Sequence, residues 1–244
     1  MLRFCAKSIP PWSMQLPIPS TRFDSMPRTL TLVYHRILPT QAKDRFALSS
    51  NVFTQHLRQL TRFEQATGIS TRITFDDGCQ GFADTAWPLL KACRREAMQF
   101  ILPGLVGQAA TWIENNPFPL LNWGTLKVLV DDGLRIGSHL MGHTHMKRLS
   151  LKALRYEADR SRTILQAQLG IEVQEVAVPY GYCSPDQAHA LLDVGYNRVH
   201  LVYGPWFNPA DYPEEVIPRM EMRGDRRFEH CLNLNQFATL DIGP

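Results

Sequence analysis

The sequence predicts an α/β fold, a distorted barrel of the (β/α)7 type, and three observations carry the prediction. Strand-like and helix-like segments alternate from end to end, the pattern of a parallel sheet with helices packed outside it. About seven strand candidates fall within 244 residues, a length that suits one barrel domain with a substantial core. His35, Asp76, Asp77, His139 and Tyr180 each come directly after a predicted strand, and such barrels carry their chemistry at the C-terminal ends of the strands.

Thr29 to His35, β-branched and apolar, is the first strand. Ser49, Ser50 and Asn51 offer N-caps for a helix whose Val52, Phe53, His56, Leu57 and Leu60 recur at helical spacing. Arg72 to Phe75 is the second strand. Phe82 to Arg95 reads as a helix, with Pro88 tolerable because it falls near the start. Met98 to Leu102 is the third strand, closed by Pro103-Gly104. Residues 115–122 read as a proline-containing loop, and Trp123 to Asp132 as a short helix stopped by Gly133. Leu134 to Ser138 is the fourth strand. Ser150 caps a long helix with Leu151, Leu154, Ala158 and Leu165 on one side and Gly170 beyond its end. Val173 to Val178 runs into Pro179-Tyr180-Gly181. Ser184-Pro185-Asp186-Gln187 joins a cap, a proline at the first helical position and a capping-box partner, in a helix that ends at Gly195. Asn197 to Tyr203 and Val216 to Met222 supply the last two strands.

Residues 28–227 therefore read as one catalytic domain and 228–244 as a C-terminal tail. Residues 1–27, with Pro10, Pro11, Pro17 and Pro19 and no continuous apolar core, read as an unstructured leader or as sequence upstream of a true start at Met26. The chain is 44% hydrophobic and 20% charged with a net charge of +3. Its basic residues are scattered rather than gathered in a stripe, which argues against nucleic acid as a partner. No apolar run is long enough for a membrane span. The five cysteines are odd in number and include no Cys-x-x-Cys pair. A reducing compartment is expected, hence the cytoplasm, with access to the inner face of a membrane.

The chemistry concentrates in two stretches. Ile73-Thr74-Phe75 runs into Asp76-Asp77-Gly78, and two adjacent carboxylates repel unless a cation or a shared proton offsets them. The glycine lets the chain turn sharply or approach a ligand. Gly137-Ser138-His139 and His143 form the complement. Two imidazoles and one carboxylate make a ligand set typical of catalytic zinc, with a position left for water. Such a metal lowers the pKa of bound water and polarises a carbonyl oxygen. The second carboxylate can then act as general base while another histidine protonates the leaving group, a layout for hydrolysis of an amide or ester. Singly these motifs say little: Asp131-Asp132-Gly133 reads only as a helix end. His145 reads as a loop residue rather than a third imidazole ligand, and His56, His189, His200 and His230 as surface or helix residues. Trp112, Trp123, Tyr182, Tyr203 and Trp206 sit in or near predicted loops, as faces for sugar rings or as packing anchors.

The order Thr74-Phe75-Asp76-Asp77-Gly78, Ile136-Gly137-Ser138-His139-x-x-x-His143, Pro179-Tyr180-Gly181 resembles the polysaccharide deacetylases, carbohydrate esterase family four, from about Leu30 to Asp225. The resemblance implies a distorted barrel of β/α units. It makes Asp76 the catalytic base, and Asp77, His139 and His143 ligands of Zn2+ or another divalent transition metal. The backbone N–H of Tyr180, behind Pro179, would help to stabilise an oxyanion. The implied reaction removes an N-acetyl, formyl or O-acetyl group from an amino sugar of a polysaccharide or lipid-linked glycan.

The chain also departs from the family pattern. Ala177 stands where an arginine is usual, and no late Leu-x-Leu-His motif is found. Leu32-Val33-Tyr34-His35-Arg36 resembles a circularly permuted subgroup whose catalytic acid lies on the first strand, which makes His35 the general acid. Ile217-Pro218-Arg219 and Arg223-Gly224-Asp225 resemble the same subgroup, with Arg219 replacing the missing arginine. That subgroup usually inserts a strand and a helix before the Asp-Asp motif. The short stretch from Phe63 to Ile73 therefore predicts a barrel short by one unit or open on that side. Cys79 replaces a common aromatic and puts a thiol beside the ligands, where it could take up metal. Two other readings stay open: a catalytically degenerate carbohydrate-binding relative, and a metal-dependent amidohydrolase acting on a small non-sugar amide.

Overall fold

Every predicted strand is found, and seven strands close on one another. The computed structural model describes residues 29–40, 44–112 and 117–232, and the expected leader lies outside them. β1 (Thr29–Tyr34), β2 (Arg36–Leu38) and β3 (Ala47–Ser49) lead into α1 (Ser50–Thr67), followed by β4 (Ser70–Phe75). The helix expected from Phe82 opens as a π-turn, Phe82–Ala86, before α2 (Trp87–Ala92). Then come β5 (Ala97–Ile101), β6 (Ala109–Ala110), β7 (Phe118–Pro119), α3 (Trp123–Asp131), β8 (Arg135–Ser138) and α4 (Leu151–Leu169). β9 (Glu175–Ala177), α5 (Pro185–Asp193), β10 (Arg198–Val202), β11 (Val216–Glu221) and α6 (Phe228–Leu232) complete the order.

Local chemistry sets these boundaries. The Ser49 hydroxyl accepts from the Val52 N–H at the start of α1, and Gly68 ends that helix at φ +72°. Ser150 and Gly170 do the same for α4. Ser184 and Gln187 form the reciprocal capping box expected for α5. α1 buries Phe53, Leu57 and Leu60 against the barrel, each contributing roughly 1.5–3 kcal/mol relative to exposure.

The barrel runs β1-β11-β10-β9-β8-β5-β4, closed and parallel throughout. Of the two alternatives, a short barrel or one open on that side, the open one is excluded, because that side is the most extensive seam. β1 pairs β4 over six residues, from Thr29↔Ser70 to Tyr34↔Phe75, so no further unit is needed to close the ring. The sequence reading also missed two small sheets, β2 with β3 and β6 with β7, which lie beyond the C-terminal ends of barrel strands. The expected tail begins inside the body: Phe228, Cys231 and Leu232 are buried, and the Phe228 ring packs on His56 at 5.0 Å. Residues 233–244 lie outside the described ones.

Candidate active site

Register brings the chemical residues level with one another. The Asp76 N–H donates to the Tyr34 carbonyl at 3.0 Å, extending the β1–β4 ladder one step and placing His35 beside Asp76. The His139 N–H donates to Ile101 at 2.8 Å in the same way. Directly beyond the strands the backbone turns sharply. Asp77, Leu140, His143 and Tyr180 all take positive φ, 74°, 62°, 57° and 61°, four of the five non-glycine residues that do so among those described. The left-handed conformation costs a non-glycine residue roughly 1–2 kcal/mol, so this rim stores strain to aim its side chains. Gly78 turns the same corner at φ +77°, and a Cβ there would meet Ile101 Cδ1 at 2.9 Å.

Asp77, His139 and His143 each offer one donor atom, and these atoms lie within 4.8 Å of one another. Asp77 Oδ1 stands 3.5 Å from His139 Nε2 and 3.3 Å from His143 Nε2, yet it is buried with no hydrogen-bond partner. A buried carboxylate oxygen without a bond is costly. Here the three groups converge on a common point rather than on one another, so the donor set fits a divalent cation. His139 Nδ1 lies 2.8 Å from the Ala177 carbonyl. The carbonyl can only accept, so Nδ1 carries the proton and Nε2 turns its lone pair toward Asp77. His143 is fixed by packing instead, stacked face to face on Trp112 with ring centroids 4.2 Å apart at 12°.

Asp76 faces the other way. Its two oxygens accept from both terminal nitrogens of Arg219, each at 2.7 Å. Arg219 is fully buried and also bonds Thr74 Oγ1 at 3.1 Å. Burial pushes the Asp76 carboxyl up, but Arg219 and His139 outweigh it and hold the group below the usual carboxylate range. Asp77 is likewise driven well below that range by its histidines despite the opposing effect of burial. Burial and Asp77 pull oppositely on the imidazoles, and the net shift is upward for His139 and downward for His143.

These residues open into a pocket of about 340 Å³ lined by His35, Asp76, Asp77, His139, His143 and Tyr180. Pro179 lies buried behind Tyr180, and Arg219 reaches the pocket only through Asp76. His35 Nδ1 is buried and without a hydrogen-bond partner, and its ring packs on Phe46 at 4.9 Å. His145 stacks on Tyr180 with centroids at 5.0 Å. Of the five aromatics singled out in the sequence, Trp112 alone lines the pocket; Trp123 begins α3, and Tyr182 and Trp206 pack edge to face at 4.8 Å.

Other expectations are corrected. Cys79 is not among the converging donors: it packs with Ala110, Phe118 and Leu120, and burial pushes its thiol up to about 11. His200 is a buried strand residue of β10 rather than a surface or helix residue, while His56 lies in α1 as expected, on its buried face. The second Asp-Asp-Gly does close α3, with Asp132 accepting from Trp87 Nε1 at 2.7 Å. The sequence reading missed Arg36, Arg45, Phe46, Phe118 and Glu221 in the pocket wall. The first four come from the stretches of the two small sheets, whose strands are too short to leave a periodic signal.

A family model described as polysaccharide deacetylase matches residues 64–199. No curated protein matches the chain. Among solved structures, the Streptococcus pyogenes deacetylase PplD in complex with acetate is 19% identical with a TM-score of 0.65, covering 86% of this chain and 97% of that one. A de-N-acetylase from Aggregatibacter actinomycetemcomitans is 16% identical with a TM-score of 0.69, covering 84% and 99%. IcaB from Ammonifex degensii is 24% identical with a TM-score of 0.65, covering 87% and 96%. At these identities the likeness is one of fold, the same barrel around different sequences.

Proposed function

That the chain belongs to the polysaccharide deacetylase family is the premise from which we propose its reaction, metal-dependent hydrolysis of an N-acetyl, formyl or O-acetyl group on an amino sugar of a polysaccharide or lipid-linked glycan. The observation that carries the reading is the convergence of Asp77, His139 and His143 beside an Asp76 already clamped by Arg219. Zn2+ or another divalent transition metal held by the three donors would polarise the acyl carbonyl and make water a better nucleophile.

The chain's own residues supply the proton transfers. Asp76, ionised because Arg219 holds it so, takes a proton from the attacking water as general base. His35 gives a proton to the departing amine as the C–N bond breaks, leaving acetate and a free amino group. The Tyr180 N–H, at the left-handed turn after Pro179, donates to the developing oxyanion. Arg219 orients Asp76 and takes the place of the arginine absent at Ala177. His35 and Arg219 lie on either side of the matched segment 64–199, and the strands beside them, β1 and β11, pair at Leu32↔Met220. This supports the circularly permuted arrangement, in which residues before and after the matched segment together complete the site.

No helix among the described residues is long and apolar enough to cross a membrane. Cys79, Cys93, Cys183 and Cys231 are free thiols, which supports a cytoplasmic setting. The test is zinc titration into metal-stripped protein, wild type against the His139→Ala, His143→Ala double variant, followed by acetate release from acetylated amino sugars. One tight site lost in the double variant, with acetate released by the wild type alone, is the expected result. Equal zinc binding by both proteins would sink the assignment.

A further inference from the structure

We infer that the substrate carries an anionic group, a carboxylate or a phosphate, which docks on Arg45 and Arg36 in the wall of the catalytic pocket; this rests on the hydrolase reading above. Both arginines line that pocket. Each guanidinium lies 4.5 Å over an aromatic ring, Arg36 over Phe118 and Arg45 over Phe46. A ring covers one face of a guanidinium and leaves its in-plane N–H donors to find acceptors elsewhere.

The two arginines then differ. Arg36 is paired with Asp44, but its Nε is buried without a partner in a side chain only 4% exposed. Arg45 is exposed, and no carboxylate among the described residues pairs with it. Most of the described carboxylates around the pocket are otherwise engaged. Asp44 is held by Arg36 and Asp76 by Arg219, Asp77 belongs to the donor cluster, and Glu221 lies 3.9 Å from an Arg223 that is itself bonded to Asp225. Among the described residues, the pocket wall thus presents an exposed Arg45 guanidinium that no carboxylate pairs with, beside an Arg36 whose Nε is unpartnered. Their place is close to the chemistry, because the Phe46 ring beneath Arg45 also packs on His35 at 4.9 Å. A neutral oligomer of N-acetylglucosamine offers these donors only hydroxyls and amides, whereas a carboxylate or phosphate offers a charged acceptor with two oxygens for paired N–H donors, the kind arginine binds best.

The experiment compares acetate release from three substrates: a neutral N-acetylglucosamine tetramer, N-acetylglucosamine 1-phosphate and N-acetylglucosaminuronic acid. Wild type, Arg45→Gln and Arg45→Lys are run at low and high salt. In the wild type at least one anionic substrate should exceed the neutral one in kcat/KM by about tenfold, the size of one charge-assisted hydrogen bond at a partly exposed site. The difference should lie in KM, shrink with salt, collapse in Arg45→Gln and survive in part in Arg45→Lys. The phosphate and carboxylate arms identify the group. A ratio near one in the wild type, or a ratio unchanged by Arg45→Gln, overturns the inference while leaving the hydrolase reading in place. If no substrate is turned over, the hydrolase reading fails. Calorimetric binding of N-acetylglucosamine 1-phosphate then decides this one, weaker binding by Arg45→Gln supporting it and equal binding overturning it.

Discussion

The two ends of the barrel each hold histidine, carboxylate and arginine, and they use them in opposite ways. Toward the N-terminal ends of the strands, Glu175 accepts from His200 Nε2 at 2.7 Å through one oxygen. Its other oxygen lies 2.7 Å from Arg72, 3.3 Å from Arg135 and 3.5 Å from Arg198. At the C-terminal ends, Asp77 Oδ1 stands 3.3 and 3.5 Å from two histidines and bonds neither. Cavity size does not separate the two: the cleft lined by Arg72, Arg94, Arg95 and Arg135 has about 350 Å³ against about 340 Å³ at the rim that carries Asp77. Pairing does. Glu175, gathered in by its neighbours, ties strands together, whereas Asp77, which its histidines surround without bonding, is placed for something else.

Substitutions sharpen this contrast, the largest effect being at the rim. Asp76→Asn should lower kcat by about a thousandfold, within the range for loss of a general base, while one-to-one zinc binding measured by calorimetry persists. Turnover near wild type would remove Asp76 from its role. Glu175→Ala should cost about 3–5 kcal/mol in denaturant unfolding, because it leaves the arginines and His200 around an empty place, with zinc affinity unchanged. Asp77→Asn in the metal-free protein should shift stability by no more than about 1 kcal/mol and abolish zinc binding. Equal unfolding penalties for Glu175→Ala and Asp77→Asn would erase the distinction between the two ends.

Acid should find the structural end. Burial, reinforced by Arg219 and Arg72, brings His200 down to about 4 despite Glu175. Burial of Glu175 is outweighed by His200 and Arg72, which bring it down to about 2. Both folded values lie below the unfolded ones, so both contributions are full at neutral pH. That of His200 is lost as pH falls from about 6.5 toward 4, and that of Glu175 from about 4.5 toward 2. Urea midpoints of the metal-free protein across this range should fall continuously, and more shallowly below pH 4.5 in Glu175→Gln. The smallest effect is expected at Trp112→Ala. Loss of its stack on His143, worth about 0.5–1.5 kcal/mol, should weaken zinc binding by up to about tenfold in the same titration.

The sequence made the strands and their C-terminal ends legible, because alternation, caps and glycine stops are local signals. Asp76, Asp77, His139 and His143 could be placed on one rim from their positions after strands. Burial of His200 could not be read: its partner Glu175 lies one β/α unit earlier in the chain, and the pairing exists only because β9 and β10 adjoin. Arg36, Arg45 and Phe118 escaped notice for a related reason. They stand in short stretches whose shape is fixed by contact with the rim rather than by propensity. The closed β1–β4 seam also decides between the two expectations drawn from the missing unit, against an open side, since neighbouring strands need only matching registers to join.

β11 enters the ring last, between β1 and β10. A chain emerging from the ribosome has Asp77, His139 and His143 available once residue 143 is free, but Arg219 arrives only with the closing strand. The three donors are therefore all in the chain before the residue that orients Asp76 has been made. Truncation ahead of β11 removes the Arg219 clamp and the strand that closes the barrel, while leaving all three donors in the sequence. Closure of the ring and arrival of the arginine that clamps Asp76 are, in this chain, one event.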